Sequence, residues 1–512
     1  MNLNFETTLK ESFNLDQFRI GQKEIISAIV NKKDVLAVLP TGGGKSLCYQ
    51  LPAVHLQKLV IVISPLIALM KDQVYSLKRQ GVPSGCLYSG QTEAEKREVF
   101  SQINKGGTFV LYLSPERAQK EGFQKWILTK DVALFAIDEA HCVSQWGHDF
   151  REEYGQLNIL KTLKPEIPIL ALTASATPIV LTDIAKNLQL KKPEKMVHGF
   201  YRPNLYYQVE QCLSDEEKTE ILLQALRQNK DGRILIYCGT RKVTESLSSY
   251  LQDMFEGVGY YHAGLPTVER TRIQEAYVNK ELRILVATNA FGMGIDQPDV
   301  RLVVHYQMPG NIDSLYQEMG RAGRDEKHST CLMLYSKKDK GLQSFFIQSS
   351  EAPSKIKDLR YRNLDTLVDY SEGSECRHAE ILTYYKDSQR ITTCGHCDSC
   401  DPKSDRKIQR PVFEMLIKTK TVKSKLRKST NTNVTLDPNQ EARFQTLKIW
   451  RKAKALELDI PAFVVFSDKS LRDMAIKDPR SMEELKNVHG IGDTKLEKFG
   501  WDILAELGHK SS

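Results

Sequence analysis

Residues 35–46 read Val-Leu-Ala-Val-Leu-Pro-Thr-Gly-Gly-Gly-Lys-Ser: a short apolar stretch, a glycine-rich turn, then a lysine and a hydroxyl. Few folds accommodate that order. The apolar stretch suits a buried strand, and consecutive glycines let backbone N–H groups wrap around phosphate oxygens. A helix starting after the loop adds the positive end of its dipole. On this reading Thr41, Gly42, Gly43 and Gly44 cradle phosphates, Lys45 reaches the β- and γ-phosphates of ATP, and the Ser46 hydroxyl ligates Mg2+. The strict phosphate-loop pattern places a glycine five residues before Gly44, where this chain has Leu39. The plain alternative is a glycine-rich turn that happens to precede Lys-Ser.

The surrounding chain repeats the strand-then-helix alternation. Val35–Leu39, Leu59–Ser64, Phe109–Ser114, Ala133–Ile137 and Ile169–Thr173 read as buried strands, and Glu93–Ile103 and Ile179–Leu188 as helices. A second set follows, with strands Arg233–Cys238, Ile284–Thr288, Leu302–Tyr306 and Cys331–Tyr335 and helices Lys242–Met254 and Val268–Asn279. Such alternation implies βαβ units and parallel sheets. The expected fold class is α/β, with parallel-sheet domains over 1–205 and 206–340 joined near Tyr201–Gln211. A helical four-cysteine module over 341–402, a basic linker over 403–437 and a small all-α domain over 438–512 complete the chain. The net charge of +8 favours a polyanionic partner. No run of eighteen apolar residues argues for a membrane span, and the N-terminus lacks the basic-then-apolar order of a secretory signal, so a cytoplasmic protein is expected.

Two further segments bear on phosphate chemistry. Ile137-Asp138-Glu139-Ala140-His141 ends a strand in two acids, which puts carboxylates at the sheet edge where α/β ligands bind. Asp138 would hold Mg2+ and Glu139 would orient the attacking water; otherwise the acids are an ordinary helix N-terminus. In the second domain, Arg321 and Arg324 of Gln317–Asp325 lie three apart, as on one helical face. They could reach across a cleft to the γ-phosphate, or could be a surface pair. Gly292-Met293-Gly294-Ile295-Asp296 adds flexible backbone and one carboxylate at the same edge.

With these segments in view, the chain resembles a superfamily-2 helicase of the RecQ family, from about residue 10 to residue 400 and again at the C-terminus. The resemblance rests on Phe18–Gln22, Pro40–Gln50, Ser64–Gln73, Leu113–Arg117, Thr173–Thr177, Tyr261–Leu265 and Gln317–Arg324, and above all on Asp138–Arg151. The proline-led phosphate loop also occurs in nucleic-acid motors. The family implies two RecA-like motor domains and an ATP-dependent DNA helicase working 3′→5′ in recombination, repair and replication. It implies that Arg19 and Gln22 meet the adenine, although the aromatic often found four residues before that arginine is Leu15 here. The loop after the acids carries Gln145, Trp146, His148, Phe150 and Arg151, whose rings can stack on unpaired bases and whose cations can meet phosphate; the bland reading is core aromatics. Single-stranded and duplex DNA are the expected partners. The family adds single-strand-binding protein or a topoisomerase, with the protein a monomer in the bacterial cytosol. An ATP-driven translocase, remodeller or annealing scaffold without strong unwinding is the alternative.

Cys376 is followed by Cys394, Cys397 and Cys400. Four thiolates at short spacings suit tetrahedral Zn2+, with a redox pair or an iron–sulfur cluster as alternatives. The 17 residues between Cys376 and Cys394 are expected to form a helix hairpin, and the family similarly carries a four-cysteine zinc module. About 37 residues separate Cys400 from Pro438, too few for the winged-helix domain that usually follows. The tail resembles the HRDC domain, with helical periodicity over Phe444–Leu456 and Met474–Leu485. Its Val488–Lys495 turn could offer N–H groups and Lys495 to a phosphate, or could be a structural bend.

Overall fold

Parallel strands can pair only through long crossovers, so both of their faces are covered and their sequences become uninterrupted apolar runs. The computed structural model describes residues 4–40, 42–147, 150–292, 297–411, 436–458, 460 and 462–509. Its first sheet has β1 (Val35–Val38), β2 (Leu59–Ile63), β3 (Ser84–Leu87), β4 (Phe109–Leu113), β5 (Val132–Ile137), β6 (Ile169–Thr173) and β7 (Glu194–Val197). They lie in the order β3-β4-β2-β5-β6-β1-β7, with every pairing parallel. The second sheet has β8 (Leu205–Gln211), β9 (Arg233–Tyr237), β10 (Val258–Tyr261), β11 (Ile284–Ala287), β12 (Val300–His305) and β13 (Ser329–Tyr335). Its order is β10-β11-β9-β12-β13-β8, again all parallel.

Every expected strand is present within a residue or two. Four more exist. Strand β3 reads Ser-Gly-Cys-Leu and β7 is a half-buried edge, so neither shows an apolar run. Residues 205–211, expected within the tether between domains, form β8 and pair along their whole length with β13. In register, Val38 pairs with Thr173, and Ile137 with Ile63 and Ala171. The strand ends that launch the glycine loop, the acid pair and the Thr173–Thr177 segment therefore meet at one carboxyl edge.

Strand β8 is a sheet edge, and an open edge invites pairing with another chain. Here the chain after Cys397 covers it. Tyr207 and Cys397 form a parallel bridge, Asp398 N–H donates to Tyr207 O at 3.0 Å, and Val209 N–H donates to Asp398 Oδ2 at 2.9 Å. Further on, Gln208 and Ile408 exchange two hydrogen bonds of 2.8 and 2.9 Å, and Ile408 is buried in the second domain's core. Residues 403–411, expected as the start of a free linker, are thus laid along the sheet; residues 412–435 lie outside the described part.

The expected hairpin between Cys376 and Cys394 is a single helix, Arg377–Tyr385, followed by a loop. Lys386 at φ 54° ends that helix, and Asp387 turns back to accept from Phe200 N–H at 2.8 Å. Phe200 in turn stacks on Tyr385, ring centroids 4.1 Å apart, and packs on Tyr316 at 5.0 Å. The exit from the first sheet, the arginine-bearing segment and the cysteine module are wedged together at this point.

The C-terminal domain is all-α and built on its own apolar cluster. The helix expected over Met474–Leu485 is broken into Asp468–Lys477 and Met482–Lys486, because Asp478 adopts φ 47° and Pro479 cannot continue the turn. Its turn is a structural bend: His489 N–H donates to Asp473 Oδ2 at 2.7 Å, and Lys495 Nζ lies 4.8 Å over the Phe466 ring. The domain docks through Arg451, whose side chain is 1% exposed and pairs with Asp468 at 2.7 Å and with Glu375 at 2.9 Å. No helix among the described residues is long and apolar enough to cross a membrane.

Candidate active site and DNA interface

The glycine loop is shaped by positions that exclude side chains. Gly42 and Gly44 adopt φ +79° and +72°, and a Cβ on Gly43 would meet Pro40 O at 2.9 Å. The helix Leu47–Leu56 starts immediately after Ser46, as phosphate binding at a helix N-terminus requires. Lys45 Nζ makes only long contacts, 3.4 Å each, to Leu39 O and Pro40 O. Thr41 lies outside the described residues.

Arg19 and Gln22 close over this loop. Arg19 donates to Gly42 O, and Gln22 Nε2 donates to Gly44 O at 2.9 Å, while Gln22 Oε1 accepts from Arg19 N–H at 2.8 Å. Leu15 is 45% exposed and offers no ring to a base.

Asp138 and Glu139 occupy the next strand end. Burial, then the neighbouring Glu139 charge, push the Asp138 carboxyl up to about 7, against the pull of Lys45. Glu139 sits at φ 50°, a left-handed conformation uncommon for a residue with a side chain, and opens a 3-10 turn over Ala140–Val143 rather than an α-helix. Its Oε2 is buried without a hydrogen bond, although His141 Nδ1 is 3.3 Å away. Thr173 Oγ1 donates its proton to Ser175 O at 3.1 Å, so His141 Nδ1, at 2.9 Å from the same oxygen, is the donor of that pair.

The second domain reaches the same edge. Gln317 Nε2 donates to Ser175 Oγ at 3.2 Å, continuing the chain of contacts from Glu139 through His141 and Thr173. The helix Ile312–Met319 ends before the arginines, so Arg321 and Arg324 stand on an irregular turn, not on one helical face. Gly323 requires this: at φ +54°, a Cβ would meet Asn204 Nδ2 at 2.5 Å. Arg324 overhangs the glycine loop, its Cγ 3.5 Å from where a Gly42 Cβ would stand. Arg321 donates to Gly292 O, and its Nε is buried without an acceptor. A buried carboxylate oxygen and a buried guanidinium N–H without hydrogen bonds, together with a lysine that pairs with no carboxylate among the described residues, fit Mg2+ and a polyphosphate. Asp296 lies outside the described residues.

The loop after the acids is folded back tightly. Gly147 N–H donates to Ser144 O at 3.0 Å, and a Cβ on Gly147 would lie 2.3 Å from His141 O. Trp146 is half-buried with Lys355 Nζ 5.3 Å from its ring centroid, Phe150 is 41% exposed, and Gln145 is exposed. Arg151 donates to Pro65 O at 3.3 Å. Phe150 is therefore a surface ring rather than a core one. His148 lies outside the described residues.

The four sulfurs of Cys376, Cys394, Cys397 and Cys400 fall within 4.8 Å of one another. Sulfurs bound tetrahedrally at ~2.3 Å from zinc are about 3.8 Å apart, so small movements would close them on an ion. Thiol hydrogen bonds from Cys376 and Cys394, and the N–H groups of Arg377 and Cys400, pull the Cys397 thiol down, while the same contacts and burial push the Cys376 and Cys394 thiols up, as expected of thiols crowded together. Beside the cluster, His378 stacks on Tyr207 at 4.1 Å, its Nε2 donates to Leu205 O at 3.1 Å, and burial holds it down to about 3.

Residues 19–184 match the DEAD/DEAH box helicase family, 217–326 the helicase conserved C-terminal domain, 337–401 the RecQ zinc-binding family and 440–507 the HRDC domain. The ATP-dependent DNA helicase RecQ of Haemophilus influenzae is 32% identical over 592 aligned positions, covering 98% of this chain and 95% of that protein. Its Bacillus subtilis counterpart is 33% identical over 584 positions, covering 98% of both. The first alignment is 80 positions longer than the 512-residue chain, so that relative carries at least as many residues without a counterpart here. The solved structure of S. cerevisiae Dbp5 bound to RNA and ADP BeF3 superposes with a TM-score of 0.52 at 18% identity, covering 70% of this chain and 97% of that one, a likeness of fold.

Two expectations follow from the geometry. Asp138 keeps its proton in the folded protein up to about pH 7 but loses it near pH 3.9 when unfolded, so its contribution to stability falls as pH rises between those values. In metal-free, nucleotide-free protein, Asp138→Asn should raise Tm more at pH 8 than at pH 6 while abolishing ATP hydrolysis; an equal or absent gain contradicts this. Purified protein should hold one zinc per chain by elemental analysis, and Cys397→Ser should lose it, lower Tm and aggregate as the β8 edge is uncovered. Retained zinc and unchanged Tm would exclude the site. The phosphate-loop edge, the arginine turn and the four-cysteine module, read with these matches, place the chain in the RecQ family of ATP-dependent DNA helicases.

Proposed function

We propose that the protein uses ATP hydrolysis to move 3′→5′ along single-stranded DNA and so separate duplex DNA in recombination, repair and replication. The observation that carries this reading is that Arg324 of the second domain overhangs the Gly42 turn of the first, with the Gln317–Ser175 hydrogen bond joining the two domains beside it. Ser46 and Asp138 would hold Mg2+, which when bound neutralises charge on the β- and γ-phosphate oxygens. Gly42, Gly43 and Gly44 bind phosphate through backbone N–H groups, and Lys45 adds a fixed positive charge. Glu139 orients the attacking water. Arg321 and Arg324 stabilise the charge that develops on the γ-phosphate, which they can do only while the cleft is shut.

Arg19 and Gln22 exchange their loop contacts for the adenine edge, for which an amide is well matched. Trp146 and Phe150 stack on unpaired bases, with Gln145, His148 and Arg151 beside them on the phosphates. The same reading makes the protein a monomer of the bacterial cytosol, and gives it single-strand-binding protein or a topoisomerase as partners by family analogy.

A second reading, an ATP-driven translocase or remodeller with little unwinding, is favoured by one observation. The zinc-binding match ends at residue 401 and the HRDC match begins at 440, which leaves no room for a separate strand-splitting domain between them.

Glu139→Gln should bind ATP with near-normal affinity while DNA-stimulated turnover falls roughly 10²–10⁴-fold. Unchanged turnover would remove Glu139 from its role.

A further inference from the structure

A cavity of about 200 Å³ opens between the Gln145–Gly147 turn of the first domain and two helices that follow the second sheet, Lys337–Ser349 and Ser354–Glu372. Gln343 and Phe346 line it from the first helix, and Arg360 and Asn363 from the second. Each pair is spaced three apart, on one helix face. Phe346 is 40% exposed, so part of its ring is open to a ligand in the cavity. Gln343 is anchored, its Nε2 donating to Met308 O at 2.8 Å. On the opposite wall the Trp146 ring faces the Lys355 ammonium.

The one acid among the lining residues, Asp313, is held in place by the hydroxyls of Tyr384 and Tyr385, at 3.3 and 3.0 Å. The lining also includes two rings, several carboxamides, the Arg360 guanidinium and the aliphatic side chains of Ile347, Ile356 and Leu359. Rings stack on bases of any sequence, carboxamides pair with base edges, and guanidinium and ammonium groups meet phosphates. A base stacked on a ring and packed on the aliphatic side chains, with its phosphate on Arg360 and its edge on carboxamides, uses each of these groups.

We infer that this cavity receives one unpaired DNA nucleotide, with Phe346 as its stacking platform and Arg360 as its phosphate contact. This inference rests on the reading of the protein as a DNA motor, and extends its DNA path from the loop after the acid pair onto the helices that lead into the zinc module. Its two walls come from opposite sides of the ATP cleft. Closing that cleft moves Trp146 relative to Phe346, so the nucleotide is gripped in one state of the motor and freed in the other.

The test is equilibrium binding of a short fluorescein-labelled oligothymidylate to full-length protein by anisotropy, with Trp146→Ala as reference. Phe346→Ala should bind roughly tenfold more weakly, and Phe346→Tyr within about twofold of the unaltered protein. Arg360→Ala should also weaken binding and lower the slope of log affinity against log salt by about 0.7. Phe346 is partly exposed, so these variants should keep their Tm, which separates lost contact from lost fold. Unaltered affinity and salt slope in both Phe346→Ala and Arg360→Ala, with Trp146→Ala weakened, would overturn this inference and leave the DNA-motor reading intact. Unaltered affinity in all three would overturn it and remove Trp146 from the DNA path as well.

Discussion

The structure depends on a charge imbalance at the end of β5. Asp138 and Glu139 are adjacent carboxylates at a sheet edge, Asp138 is buried, and among the described residues Lys45 is the cation that pulls its carboxyl down. Two like charges held together are stable only if one is protonated or if further positive charge arrives. Burial, with the Glu139 charge behind it, drives Asp138 up to about 7, so protonation is the resting solution. On the proposed mechanism a divalent cation and the arginines of the second domain would be the working solution, acting together when the two domains close.

The remainder of the molecule makes that closure possible and repeatable. Parallel pairing brings the strand ends of each sheet to one side, so that the two edges can face each other. The Phe200–Tyr316–Tyr385 cluster ties the exit of the first sheet to the helix preceding the arginines and to the zinc module. The Cys397–Asp401 turn and residues up to Arg410 seal β8, the outer strand of the moving domain, and Arg410 pairs with Glu210 at 2.5 Å. The C-terminal domain is then held against the same module through Arg451 and Glu375, the residue beside Cys376. Metal ligation, edge protection and domain docking thereby share one short stretch of chain.

Much of this was legible in the sequence, and for physical reasons. Strands buried on both faces must be apolar throughout, so β1, β2, β4, β5 and β6 were visible at once. Strand β7 was not, because an edge strand with Glu194 and Lys195 need not be apolar. Glycines at forced positions marked the phosphate loop, and cysteine spacing marked the metal site. What the sequence hid was tertiary in origin. The Arg-x-x-Arg spacing suggests a helix, yet Gly320 and Gly323 end it, and the turn that results is what carries Arg324 over Gly42. Lys495 looks available to a phosphate until Phe466 is seen beneath it. Residues 403–411 are polar enough to pass for a tether, with only Ile408 to betray that they are packed. The Phe346 cleft was invisible because its walls come from segments some two hundred residues apart.

The central claim is that closure of the two edges over ATP drives strand separation without a dedicated splitting domain. It is tested most directly by ATP-dependent unwinding of matched duplexes bearing a 3′ tail, a 5′ tail or blunt ends, with Lys45→Ala as control. Unwinding of the 3′-tailed duplex alone, lost in Lys45→Ala, is the expected result. DNA-stimulated ATP hydrolysis with no unwinding of any of the three would contradict it, and would make the protein a translocase.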